Sequence, residues 1–174
     1  MRMSKGMLFS TLYMKESRKL PKLEVVKNKK LVLKNVLKKE LKTIQLELLD
    51  EEINKFGLLL DNLSVQTFGP FVMKAGGVSV SEEGLMRMDY ELLTQAHDYK
   101  QYKGSFDVVE RLEVPNCVYV RFEGAPEDIH YAHSKLDLYF YENEISSTGE
   151  SYSVMVEDSE HHCVVDIFRT VGSL

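Results

Sequence analysis

Apolar and polar positions change period several times along this 174-residue chain. KTIQLELL (42–49) alternates, with Ile44 and Leu46 on one face, and predicts a strand. It runs into DEEINKFGLLLDNL (50–63), where Ile53, Phe56, Leu60 and Leu63 recur at helical spacing. Asp50 is placed to cap that helix, and acidic residues fill its first turn. FGPFVMKAGG (68–77) and LMRMDYELLTQA (85–96) predict two strands around a turn-rich middle. The second half reads in the same order. NCVYVRFEG (116–124) alternates Val118, Val120 and Phe122 with Tyr119, Arg121 and Glu123. The stretch from Gly124 to Glu144 carries Pro126, Glu127 and Asp128 in helix-starting positions, and predicts a helix over 127–143. Ile129, Ala132, Leu136 and either Tyr139 or Phe140 form its buried stripe. SYSVMV (151–156) and CVVDIFRTV (163–171) predict the closing strands, with EDSEHH as the turn between them, and SFDVVERLEV (105–114) predicts a strand bridging the halves. The expected fold is α+β: two pseudo-symmetric strand–helix–strand–strand repeats in a mainly antiparallel sheet, with helices on one face and a central cleft.

Composition narrows the class. With 44% hydrophobic residues, ten Gly and four Pro, the chain suits one globular domain. No run of 18 apolar residues occurs, so no membrane-spanning helix is expected. MLFSTLYM near the start is interrupted by polar residues and has no small-residue cleavage site after it, unlike a secretory signal. Two cysteines, Cys117 and Cys163, form no spaced framework and point to a reduced, cytoplasmic protein.

Charge divides the chain. Residues 1–42 hold 13 Lys/Arg against Glu16, Glu24 and Glu40, whereas residues 43–174 hold 9 against 24 Asp/Glu. The basic stretch could meet nucleic acid or an anionic surface, or its lysines could line the solvent face of an element and blunt a sheet edge. We read residues 1–35 as a partly ordered basic arm and 36–174 as the folded domain. The acidic body disfavours DNA, so no specific DNA binding by this chain alone is expected.

Candidate chemistry is sparse. His161, His162 and Cys163 are adjacent, and successive strand side chains point to opposite faces, so the three cannot readily converge on one ion. His130 and His133 share a helix face, but two ligands do not make a site. The sequence contains no GxSxG, phosphate-binding loop or GxGxxG motif. No metal, cofactor or catalytic residue is therefore expected.

Several segments, in order, resemble the GyrI-like effector-binding domain, which forms the C-terminal half of MerR-type multidrug-sensing transcription regulators and also occurs alone. They are LKTIQLE (41–47), FGPFVMKAG (68–76), MRMDYELLTQA (86–96), VERLEVPNCVYVRFEGAPEDIHYAHSKL (109–136) and YSVMVEDSEHHCVVDIF (152–168). The resemblance covers roughly residues 36–171. It implies a cleft for aromatic, often cationic small molecules, with aromatic walls and a buried Glu on the penultimate strand. Carried over by position, the lining would comprise Phe56, Phe68, Tyr90, Phe122, Tyr131 and Tyr152; any single such ring belongs more often to a core, but as a group they favour the pocket. Ser153 stands where the family has its Glu, so the ligand would be less strongly cationic or Glu91 or Glu110 would replace that carboxylate. Residues 1–42 are too short for the winged helix-turn-helix and long dimerising helix of those regulators. The expected function is a small-molecule sensing module lacking its own DNA-binding domain. A gyrase-inhibitor-like protein partner and hydrolysis of small molecules are the alternatives that the same resemblance carries.

Overall fold

The computed structural model describes residues 21–172. Six strands, β1 (Val25–Gln45), β2 (Thr67–Val80), β3 (Met86–Ala96), β4 (Asp107–Gly124), β5 (Ser147–Asp158) and β6 (Cys163–Val171), are joined with two helices, α1 (Leu49–Asn62) and α2 (His130–Glu142). All strand pairs are antiparallel. Their order, β1-β3-β2-β5-β6-β4, closes on itself as a barrel because β1 pairs with both β3 and β4. The α+β expectation holds, and the antiparallel sheet closes into a barrel.

The strand expected at 42–49 starts far earlier, at Val25, and Leu46–Leu48 form a short 3-10 turn instead. The lysine-rich segment is thus a strand, but β1 is paired on both sides and blunts no edge. Position 35, taken as the end of the arm, lies inside β1. The part of the arm over residues 1–20 lies outside the described residues.

Twenty-one residues do not run straight. Asn28, Asn35 and Thr43 have φ of 58°, 53° and 51°, and ladder register shifts flank Asn28 and Thr43. Asparagine tolerates the left-handed region, whereas a β-branched threonine there is strained. Such bulges bend a strand and raise its twist, as closure requires. The separate strands expected at 105–114 and 116–124 are likewise one strand, β4. Pro115 has no N–H to give the ladder, and it lies next to Asn116 (φ 53°), where the β1–β4 register shifts between Lys29 and Leu31. β2 also runs on to Val80, through the stretch expected to be a turn.

Alternation sorts the side chains into three clusters. Leu37, Leu92 and Tyr90 pack with Leu49 and Phe56 of α1. Val118, Val120, Phe122, Val165 and Ile167 pack with Ala132, Leu136 and Phe140 of α2. Between Tyr139 and Phe140, it is Phe140 that is buried. The third cluster, with Val36, Val72, Leu93, Tyr152 and Val154, contains strand residues only. Neighbours such as Leu92 and Leu93 thus feed opposite faces of the sheet, and the third cluster lies on the face away from both helices. Asp50 does not cap α1; Leu48 occupies the cap position without a side-chain hydrogen bond, and Asp50, Glu51 and Glu52 lie in the first turn. Pro126–Asp128 form a 3-10 turn leading into α2, which begins at His130. No helix among the described residues is long and apolar enough to cross a membrane.

Candidate functional site

On the helix-free face, neighbouring strands present charged side chains in register. Glu40 is opposite Glu91, Glu91 opposite Lys74, and Lys74 opposite Tyr152. Two bulges open the sheet beside this row: the β1–β3 register shifts between Leu41 and Ile44, and the β2–β3 register between Ala75 and Val78. Asp89 of β3 faces both gaps, and its Oδ1 accepts a 2.7 Å hydrogen bond from the Thr43 N–H. The result is a cavity of about 180 Å3, lined by Glu40, Lys42, Lys74, Asp89, Tyr90, Glu91 and Glu150 with Gly76 and Gly77. Four carboxylates meet two ammonium groups there, a surplus of negative charge.

Those charges are organised. Lys74 Nζ lies 3.2 Å from Glu91 and 2.9 Å from Glu150. It also stands over the Tyr152 ring, 5.8 Å from the centroid. Glu40 pairs with Lys38 at 3.1 Å and with Lys42 at 3.3 Å, and hydrogen bonds from both lysines hold its carboxyl below the usual range. Burial pushes the Tyr90 phenol up, and it does the same at Tyr152 despite the opposing ammonium of Lys74, so both stay protonated at neutral pH.

The residues suggested by the sequence do not share one cleft. Tyr90 borders the cavity, but its ring packs in the α1-side cluster and its hydroxyl meets Met88 Sδ at 3.2 Å, whereas Tyr152 lies under Lys74. Phe56 is enclosed between α1 and the sheet, and Phe122 between α2 and the sheet. Phe68 stacks on His97 at 4.5 Å, and Tyr131 is exposed on α2 beside His130. Ser153 is buried and paired in register with Met73 and Ile167, members of the two helix-side clusters, so it points away from Tyr152. Of the two substitute carboxylates, Glu91 lines the cavity, whereas Glu110 is exposed on β4. Lys74, Asp89 and Glu150 escaped the sequence reading. A lysine inside the apolar strand FVMKAG was the signal that could have marked the first of them.

The histidines stand apart from the cavity. His161 and His162 lie in the β5–β6 turn, where Ser159 bonds the His162 backbone in both directions, and Cys163 is buried beneath α2. His130 donates from Nδ1 to the Glu127 carbonyl at 2.8 Å, and His133 is partly buried on α2, its pKa lowered by burial and by Arg169. Among the described residues, no three His, Cys, Asp or Glu side chains are grouped to hold a metal ion.

A larger hollow of about 680 Å3, bordered by Tyr119, Arg121, Glu123, His162, Lys22 and Glu24, has balanced charges. Beside it, Asp166 accepts from the Tyr119 hydroxyl at 2.7 Å and from Arg121 at 2.7 and 2.8 Å. Burial would raise the Asp166 pKa, but the bonds from Arg121 and Tyr119 outweigh it and hold the carboxyl below its ordinary value. A depressed folded-state pKa adds stability above the unfolded value, about 3.9, that is lost as pH falls through the folded one. Asp166→Asn should therefore melt lower than wild type at pH 7 and lose less between pH 4 and 2.5. Parallel melting curves across that range would refute the assignment.

Fold and cavity together define the class: a six-stranded antiparallel barrel, two helices against its outer clusters, and an anionic cavity where bulges open one end. No protein-family model matches the chain, and neither does any curated protein. Solved structures do. The EcmrR C-terminal domain superposes with a TM-score of 0.60 at 12% identity, over 88% of this chain and 98% of that one. EcmrR in its cryo-EM complex with DNA gives the same score and identity over 88% of this chain, and 58% of that longer chain. SAV2435 bound to tetraphenylphosphonium aligns more loosely, with a TM-score of 0.48 at 11% identity, over 88% and 95%. The chain has the fold of the EcmrR C-terminal domain, as the resemblance to GyrI-like effector-binding domains implied.

Proposed function

We propose that this chain is a small-molecule binding module of the effector-sensing kind, and that its ligand is a compact organic cation taken at the Glu40–Lys74–Asp89–Glu91–Glu150 cavity. One observation carries this reading: four carboxylates against two ammonium groups surround the cavity, and one of those ammonium groups, Lys74, lies over the face of the buried Tyr152. A ring face with carboxylates beside it attracts a cation through the quadrupole and through charge-assisted hydrogen bonds. Among the described residues, no Cys, Ser, Thr or His lines the cavity to serve as a nucleophile, which favours binding over catalysis. Neither cysteine lines the cavity, and burial pushes both thiols up.

Benzylammonium and its neutral analogue benzyl alcohol test the reading. At a hundredfold excess over Kd a ligand stabilises by about 2.7 kcal/mol. That is a Tm rise of roughly 5–11 °C, at about 2–4 °C per kcal/mol for a chain of this size. Benzylammonium should give such a rise and benzyl alcohol a much smaller one at equal concentration. Glu91→Gln should weaken benzylammonium about tenfold, or 1.4 kcal/mol. A panel of small ammonium compounds that leaves Tm unmoved would overturn the proposal.

A further inference from the structure

The anionic cavity already holds a cation of the protein's own. The ammonium of Lys74 is bracketed by Glu91 and Glu150 and lies over Tyr152, with only 16% of its side chain exposed. Carboxylates on two sides with an aromatic face beneath form the environment that recognises an organic ammonium ion. Burial pulls the Lys74 pKa down, but Glu150, Tyr152 and Glu91 more than reverse this, so the group stays charged wherever the protein is folded. The space left beside it, about 180 Å3, falls short of the roughly 300 Å3 at which small-molecule pockets usually begin.

Resting on the reading of this cavity as a cation site, we propose that Lys74 is a tethered competitor, which fills the ammonium position in the unliganded protein and is displaced to solvent when an organic cation binds. The exchange conserves charge: one ammonium leaves Glu91 and Glu150 as another arrives, so neither carboxylate is left unpaired. It also frees the volume of the lysine side chain and uncovers the Tyr152 face for a flat ligand. Lys74 lines the cavity next to the β2 bulge between Ala75 and Val78, and its long side chain has the reach to swing outward. Apparent affinity then equals the affinity of the open site multiplied by the fraction of molecules in which Lys74 has left it.

Two measurements test this. Lys74→Met removes the competitor and should bind benzylammonium at least about tenfold more tightly than wild type, the factor expected when the open state is about a tenth populated. Lys74→Arg keeps a cation in place and should stay within about threefold of wild type. The second measurement uses the wild-type protein and so does not depend on the folding of the methionine variant. The side-chain ammonium signal of Lys74 in nitrogen-15 NMR is assigned by its loss in Lys74→Arg. On saturation with benzylammonium it should move to the position of a solvent-exposed lysine. A tighter Lys74→Met together with a displaced signal establishes the competitor. A wild-type protein that binds benzylammonium with the Lys74 signal unmoved, or a methionine variant that binds no better, overturns the proposal and leaves the cation site standing. If neither wild type nor Lys74→Met binds any small ammonium compound, the cation-site reading fails and the competitor fails with it.

Discussion

Replacing Phe56 by alanine is expected to destabilise the protein by about 3–5 kcal/mol while leaving its affinity for benzylammonium within about twofold of wild type. Phe56 is 1% exposed, with its ring edge-on to Phe106 at 5.7 Å and tilted against Phe71 at 6.1 Å. It is the aromatic anchor by which α1 holds the β1-β3-β2 side of the barrel. Truncation removes those contacts and leaves a hole that the surrounding strands, fixed by their ladders, can only partly close. The expected fall in Tm is roughly 6–20 °C at about 2–4 °C per kcal/mol. The cavity lies on the opposite face of the same strands, so its residues are not disturbed directly. Thermal denaturation and fluorescence titration of the same sample decide the matter. A loss of affinity matching the loss of stability would place Phe56 at the ligand, and a Tm change under about 3 °C would contradict its burial.

Ser153→Glu is expected to destabilise by several kcal/mol and to leave the preference for cations over neutral ligands unchanged. Ser153 is 8% exposed and lies in register between Met73 and Ile167, so a glutamate there enters an apolar region and not the cavity. Its carboxyl would have a raised folded-state pKa. A group with a raised pKa binds its proton more tightly in the folded than in the unfolded state. The charge-dependent part of the penalty is therefore absent below the unfolded value of about 4.3 and grows as pH rises toward the folded one. Ser153→Gln supplies the control, because it fills the same volume without titrating. The difference in Tm between the two variants should be small at pH 4 and widen by pH 7. Were Ser153→Glu to bind benzylammonium more tightly relative to benzyl alcohol, the side chain would face the ligand and the register-based assignment would be wrong.

Both outcomes turn on a distinction that periodicity could not draw. The alternation in NCVYVRFEG separates two faces of a strand, and Phe122 does fall on the same face as Val118 and Val120. Alternation leaves open whether that face meets a helix or a cavity. For Phe56, helical spacing identified the buried stripe of α1, but a buried stripe and a pocket wall are alike in sequence. At Tyr152 and Ser153 the matter is sharper still, because a one-residue step moves a side chain to the other side of the sheet. Only the pairing of Lys74 with Tyr152, and of Met73 with Ser153, settles which of the two shares the cavity's side of the sheet.

Element types over most of the chain, the order of strands and helices from Thr67 onward, and the face that each helix buries were all legible in the sequence. These follow from local chemistry: 3.6-residue spacing in α1 and α2, alternation in the later strands, and turn residues at the β5–β6 hairpin. It did not reveal β1 before Lys42, where exposed lysines and left-handed Asn28 and Asn35 interrupt the pattern, nor the continuity of β4 through Pro115 and Asn116. Closure of the barrel and the make-up of the site arise only when the strands pair. Closure depends on β1 bending far enough to pair with β3 on one side and β4 on the other, and a bend is the sum of bulges whose effect appears only when strands pair. The cavity draws Glu40, Lys74, Asp89, Glu91 and Glu150 from four strands, and residues so far apart in the chain meet only through ladder register.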